Sequence, residues 1–233
     1  VPSFLAKTEH YYDLTGSITY LTVTLVALIT ADDRDLRTVL FAILIGLWAG
    51  RLGTFLFRRV RRDGKDGRFD EIKMDPLRFF MTWTLQGLWV LLTAAAALAV
   101  ITGGNREPLG VIGYLGIAIW LAGFLIEVVA DQQKSKFKAD PANQGRFINS
   151  GLWAWSRHPN YFGEILFWVS LWLFGLSAAP AMWWTGIGAA AMLAMFVFAS
   201  IPMMDRRSTG RRPGYADYAA RTSALVPWPP RRA

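Results

Sequence analysis

"LGVIGYLGIAIWLAGFLIEVVADQQKSKFK", residues 109–138, decides the fold. From 109 to 130 a single charged side chain, Glu127, interrupts an otherwise apolar run. A bilayer's hydrocarbon core is about 30 Å thick, so a helix needs roughly 20 apolar residues to cross it. Chain in lipid that is neither helix nor closed barrel leaves its backbone polar groups unpaired. The stretch therefore reads as a membrane-spanning helix. Working outward, five more blocks of similar character lie at 14–30, 37–57, 77–102, 160–178 and 181–204. The expectation is an all-α fold: a polytopic transmembrane helical bundle with six spans, forming one domain over 1–233. The chain opens on "VPSFLAKTEHYYDLTG", with neither an initiator Met nor a basic-then-apolar signal peptide. A seventh helix, upstream of these residues, is accordingly expected in the intact protein.

Composition agrees with a lipid environment. Hydrophobic residues make up 53% of the 233, with eleven Trp and fifteen Phe. There is no Cys, which excludes disulfides, thiolate nucleophiles and Cys-ligated metal centres. A formal charge of +8 could suggest a nucleic-acid partner, but the basic residues lie in loops between apolar blocks. Eight Lys/Arg fall in 58–78, five in 134–157 and seven in 206–232, against three in the alternate loops (Arg34, Arg37 and Arg106). Basic loops remain on the cytoplasmic side, which places the C-terminus there too. No nucleic-acid partner is expected; membrane lipids are. The 58–75 loop, "RRVRRDGKDGRFDEIK" up to Pro76, reads as a flexible cytoplasmic turn.

Polar chemistry concentrates in the second half. Glu127 and Asp131 are four residues apart, hence on one face of the helix, and acids at the inner end of an apolar span are a functional-site signal. Lys134, Lys136 and Lys138 follow. After the connection "ADPANQGRFINSG" comes "LWAWSRHPNYFGEILFWVSLW", residues 152–172. Pro159 suits the first turn of a helix, Asn160 and Glu164 share a face, and Arg157 and His158 stand just before it. The terminal "MMDRRSTGRRPGYADYAARTSALVPWPPRR" follows the last span with Asp205, Arg206 and Arg207, then a Tyr-rich amphipathic piece. This piece reads either as an interfacial helix or as a lid over a phosphate-bearing cofactor.

The sequence holds neither a G-x-G-x-x-G fingerprint nor a G-x-x-x-x-G-K-[ST] loop, so Rossmann and Walker nucleotide sites are not expected. Only His10 and His158 are present, with no H-E-x-x-H, and no metal is expected. A non-enzymatic transporter or scaffold is a further alternative that would bind no such cofactor, and a channel or transporter would carry its charges at mid-membrane. Here they gather at the cytoplasmic helix ends, as suits a water-soluble cofactor meeting a lipophilic substrate.

"EVVADQQKSKF" (127–137), "GLWAWSRHPNYFGE" (151–164) and "RRPGYADYAARTSALVPW" (211–228) resemble, in order and spacing, the steroid 5-alpha-reductase family, most closely its bacterial members. The likeness is specific over about the last hundred residues and loose before them. It implies a seven-helix membrane enzyme, binding NADPH from the cytoplasmic side and reducing a carbon–carbon double bond conjugated to a carbonyl in a lipophilic substrate. By position, it implies a cofactor site of Glu127, Asp131, Lys138, Arg146, Asn160 and Glu164, closed by Asp205, Arg206, Arg207, Tyr215 and Tyr218. Arg157, His158 and Tyr161 complete the expected set. A bacterial inner membrane is the expected location.

The substrate end departs from the family pattern. Steroid-reducing members carry a Tyr three residues before an Arg; here Trp48 precedes Arg51. Glu9, Tyr11, Tyr12 and Asp13 of "TEHYYDLTG" offer replacement donors, with Tyr12 or Asp13 expected as the acid that stabilises the developing enolate. "RHPNY" is also similar to the signature of isoprenylcysteine carboxyl methyltransferases, which bind S-adenosylmethionine at a cytoplasmic helix mouth. On that alternative Arg157 and His158 would matter most.

Overall fold

The computed structural model describes residues 2–5, 8, 10–64, 69–70, 72–103 and 107–231. Among these the fold is helical, with one isolated bridge between Ser156 and Ser223. In chain order the α-helices are α1 (Pro2–Leu5), α2 (Tyr12–Thr30), α3 (Leu36–Asp63), α4 (Pro76–Thr102), α5 (Val111–Ala139), α6 (Pro159–Leu176), α7 (Ile187–Met195), α8 (Ile201–Thr209) and α9 (Tyr215–Arg221).

Local chemistry sets several of the ends. The Asp35 carboxylate accepts from Thr38 N at 2.8 Å and caps α3. At the other end Gly64 takes φ 79°, where a Cβ would be strained, and its N–H donates to Val60 O. Asp75 accepts from Leu77 N and Arg78 N, and Pro76 occupies the first turn of α4, where its missing N–H costs nothing. The 58–75 loop is thus shorter than expected, because helix continues through Arg58–Arg62 before Gly64 stops it. Its residues 65–68 and 71 lie outside those described.

Among the described residues five helical stretches are long and apolar enough to cross a membrane: Tyr12–Thr30, Leu36–Arg62, Pro76–Thr102, Val111–Ala139 and Pro180–Thr209. The block expected at 160–178 forms α6, but "PNYFGE" at its start lowers its apolar content below that of the others. The Pro180–Thr209 stretch is not uniform. It runs from a 3₁₀ turn (Pro180–Gly186) into α7, then through a π-turn (Phe196–Ser200) into α8. Pro202 supplies the reason. It has no N–H for the Phe198 carbonyl and its ring crowds that group, so the ladder shifts and Ile201 N–H reaches back five residues to Phe196 O.

The chain forms two compact units. The first, Val1–Leu109 with Gly175–Gly188, sets α2 against both α3 and α4. A Cβ on Gly53 would stand 2.4 Å from Ser17 Oγ, so glycine allows α2 and α3 to touch. Tyr20, on the same helix as Ser17, donates across to Thr93 Oγ1 at 2.6 Å, since that hydroxyl's own proton goes to Trp89 O. Trp48 meets the Tyr20 ring edge-on at 5.1 Å. The second unit, Gly110–Phe174 with Ala189–Ala233, holds α5, α6 as far as Phe174, α7 from Ala189 onward, α8 and α9. Here a Cβ on Gly163 would lie 2.6 Å from Gly123 O and 2.7 Å from Glu127 N. Backbone contact between α5 and α6 at this point brings their polar residues together.

Candidate functional site

Two polar groupings occupy the second unit. On α5, Glu127 and Asp131 are 2% and 5% exposed, with Gly163 of α6 packed on the backbone of Glu127. One turn before Gly163, the Asn160 amide donates to Asp131 Oδ1 at 3.4 Å. Tyr161 stacks on His158 at 5.2 Å and on Phe196 at 4.2 Å, the latter a residue of the π-turn. Glu164 follows on α6, half-buried. Beyond the α5 acids, Lys134 lies 4.5 Å over the Trp153 ring, while Lys138 and Arg146 are exposed. Trp153 is itself anchored, donating Nε1–H to Ala130 O at 3.0 Å. Ala130, Ile148 and Trp153 form a small apolar core beneath this face.

The other grouping centres on Asp205 of α8. Its Oδ2 accepts from Arg157 Nη2 at 2.7 Å and Nε at 3.2 Å; its Oδ1 accepts from Tyr215 at 2.6 Å and lies 3.3 Å from His158 Nε2. Arg157 Nη1 donates to Ala219 O at 2.8 Å, in the last turn of α9, and to Thr222 O at 2.6 Å, just past its end. The Tyr218 hydroxyl donates to Trp153 O. Ser156 donates to Leu225 O at 2.7 Å and accepts from His158 N at 3.0 Å. Arg157 N donates to Ser223 O at 2.8 Å, and Trp228 N to Trp155 O at 3.0 Å. Phe147 packs against the rings of both Tyr215 and Tyr218. The arrangement is a clamp holding the C-terminal segment to the turn before α6.

Its electrostatics follow from burial. Burial is the largest influence on His158 and lowers its pKa from 6.5, outweighing the opposing pull of the Asp205 carboxylate. A neutral ring then presents Nε2–H to Asp205 as a donor. Burial likewise pushes the Tyr215 and Tyr218 hydroxyls upward, with the hydrogen bond to Asp205 adding to the effect at Tyr215. Both phenols remain protonated donors.

The expected cofactor residues therefore divide. Glu127, Asp131, Asn160, Tyr161 and Glu164 gather around the α5–α6 crossing. Lys138, Arg146, Arg206 and Arg207 are solvent-exposed cations. Arg157, His158, Asp205, Tyr215 and Tyr218 point their polar atoms at one another and at main-chain carbonyls. Tyr12 and Asp13 belong to the first unit. The Tyr12 hydroxyl donates to Thr82 O at 3.3 Å, its ring packs on Phe69 and Trp83, and Asp13 pairs with Arg59 at 3.6 Å. Glu9 lies outside the described residues. No group of three or more metal-binding side chains occurs among the described residues.

Sequence reasoning missed Tyr20, Thr93, Ser156 and Thr222. Tyr20 sits in the Thr-rich first span, and nothing in the sequence pairs it with a residue 73 positions away. Ser156, wholly buried, carried one usable signal: it immediately precedes the Arg157–His158 pair.

Comparison with known proteins adds the following. An uncharacterized protein of Schizosaccharomyces pombe is 26% identical over 219 residues, 82% of this chain and 63% of its own length. A probable O-methyltransferase, ustE, of Ustilaginoidea virens is 29% identical over 149 residues, 62% of this chain and 48% of its own length. The chain thus spans less than two thirds of either relative, and both are fungal. No solved structure matches it. Residues 2–222 match the model of the protein family of unknown function DUF1295, a steroid 5-alpha-reductase-like family, and the chain belongs to it.

Proposed function

We propose that this protein is an NADPH-dependent membrane oxidoreductase that reduces a carbon–carbon double bond conjugated to a carbonyl in a lipophilic substrate. The observation that carries the reading is the buried acid pair Glu127 and Asp131 set against Asn160 where α5 and α6 touch. Buried carboxylates at the end of an apolar helix are costly and are retained where they serve a ligand or a proton path.

The residues present fit such a cofactor. Carboxylates and the Asn160 amide suit hydroxyl and carboxamide groups, while Lys138, Arg146, Arg206 and Arg207 suit a pyrophosphate and a 2′-phosphate. NADPH, when bound, supplies the hydride. Glu127, Asp131 and Asn160 hold the polar edge of the site and keep its register. Tyr161, flat between His158 and Phe196, braces the first turn of α6. The clamp acts indirectly: Arg157 and Asp205 fix the turn from which α6 starts, and so the position of Asn160. For the acid that stabilises the developing enolate, Tyr12 is preferred to Asp13, because a phenol is a proton donor that can turn from the long contact to Thr82 O, whereas Asp13 is paired with Arg59.

The test is a thermal-shift titration of the detergent-purified protein with NADPH, NADH and S-adenosylmethionine in parallel. The expected outcome is stabilisation by NADPH, weakened about tenfold or more in Asn160→Ala or Glu164→Gln without loss of the folded state. Unchanged NADPH affinity in both variants would sink the assignment. A second reading, transfer of a methyl group from S-adenosylmethionine to a lipophilic acceptor, is favoured by the relative described as a probable O-methyltransferase. Stabilisation by S-adenosylmethionine alone selects it.

A further inference from the structure

The chain after α9 turns back beside that helix and borders a half-open cavity of about 380 Å³. Its wall includes Arg157, Arg221, Thr222, Ser223, Trp228 and Arg231, and among the described residues no carboxylate side chain lines it. Arg231 N donates to Arg221 O at 3.0 Å, which holds the two exposed guanidinium-bearing residues at one side. The Arg157 guanidinium is already committed to Asp205, Ala219 O and Thr222 O, so it stiffens the wall rather than supplying net charge.

Two features place this cavity at the boundary between lipid and water. Arg157 stands two residues before α6, and its partner Asp205 lies four residues from the end of the Pro180–Thr209 stretch. Trp228 of the wall is 69% exposed, and Trp155 and Val226 are 49% and 53% exposed, with Trp228 N donating to Trp155 O. Exposed indoles with arginines next to them suit the headgroup layer, where the ring enters the acyl boundary and its N–H remains wet. We propose that this cavity binds the phosphate of an anionic phospholipid headgroup through Arg221 and Arg231, with Trp155 and Trp228 set into the same leaflet. Arginine forks match phosphate oxygens two at a time, and Thr222 and Ser223 add small polar walls. The two residues that hold the phosphate, Arg221 and Arg231, belong to neither cofactor reading, although Arg157 of the wall figures in both.

The test uses the full chain, delipidated in detergent, with phosphatidylglycerol, phosphatidylcholine or inorganic phosphate added at matched concentration. Melting temperature and lipid retention by native mass spectrometry are read. Phosphatidylglycerol is expected to raise the melting temperature and to be retained, while the other two are not. In Arg221→Gln/Arg231→Gln retention should fall about tenfold or more. The pair Arg211→Gln/Arg212→Gln changes the charge equally away from the cavity and should leave retention in place. Equal effects of phosphatidylglycerol and phosphatidylcholine overturn the proposal, as does equal loss in the two double variants, which means diffuse charge attraction. Stabilisation by inorganic phosphate matching that by phosphatidylglycerol overturns the lipid as the source.

Discussion

The clamp around Asp205 and the acid pair on α5 are built from the same kinds of residue in the same unit, yet they are partnered differently. In the clamp, donors are matched to acceptors of the chain itself: one carboxylate, three side chains around it and the carbonyls that end α9. At the α5–α6 crossing, two buried carboxylates stand where glycine lets backbones touch, and the Asn160 contact at 3.4 Å is long for a hydrogen bond. Density of polar residues therefore does not distinguish a fastening from a binding site. The identity of the partner is the visible difference: the clamp's donors end largely on main-chain carbonyls, whereas Asp131 of the acid pair meets the Asn160 amide.

Four experiments press on that contrast. The largest effect is expected for Arg157→Ala, which leaves the Asp205 carboxylate without its cation and the α9 carbonyls without donors. A loss of about 3 kcal/mol is expected, with proteolysis beginning in the C-terminal segment. An unaltered melting temperature and digestion pattern would mean that the clamp fastens nothing. Gly163→Ala comes next: its Cβ would meet Gly123 O at 2.6 Å, so α5 and α6 must part, at about 1–3 kcal/mol, and NADPH binding should fall with stability. Stability lost with binding retained would separate the crossing from the cofactor site. Tyr218→Phe removes the donor to Trp153 O and should cost about 1 kcal/mol with cofactor affinity unchanged. A fall in NADPH affinity instead would move Tyr218 from the clamp into the site.

The smallest effect concerns pH. His158 has a folded-state pKa below 6.5, so under mildly acidic conditions the unfolded chain takes up a proton that the folded chain refuses. Its contribution is fully present above pH 6.5 and is lost as pH falls below that value toward the folded pKa. Between pH 7 and pH 6 the loss is at most about 0.7 kcal/mol for one proton. His158→Gln should flatten that part of the stability profile, and an identical slope in the variant would mean that other groups carry the dependence.

Much was legible before any coordinates. Apolar length gave the helices, Pro76 and Pro159 marked two of their starts, and the four-residue spacing of Glu127 and Asp131 placed both acids on one buried face. The π-turn was not anticipated, although Pro202 was in view, because a proline inside an apolar run can kink, stop or shift a helix. The roles of Arg157 and Tyr218 were not legible either. Their partners lie 48 to 65 residues away, beyond any spacing rule. Trp48 could be read only as a departure from a family pattern; folding showed that it packs on Tyr20, whose hydroxyl reaches Thr93.

The sequence by itself determined what each segment must do with its backbone in lipid, because hydropathy and length are properties of a stretch taken alone. Only the tertiary structure decided which polar side chains face each other. That choice depends on where glycine allows two helices to touch and on which carbonyls a helix end leaves open, and both are set by contacts between segments far apart in the chain.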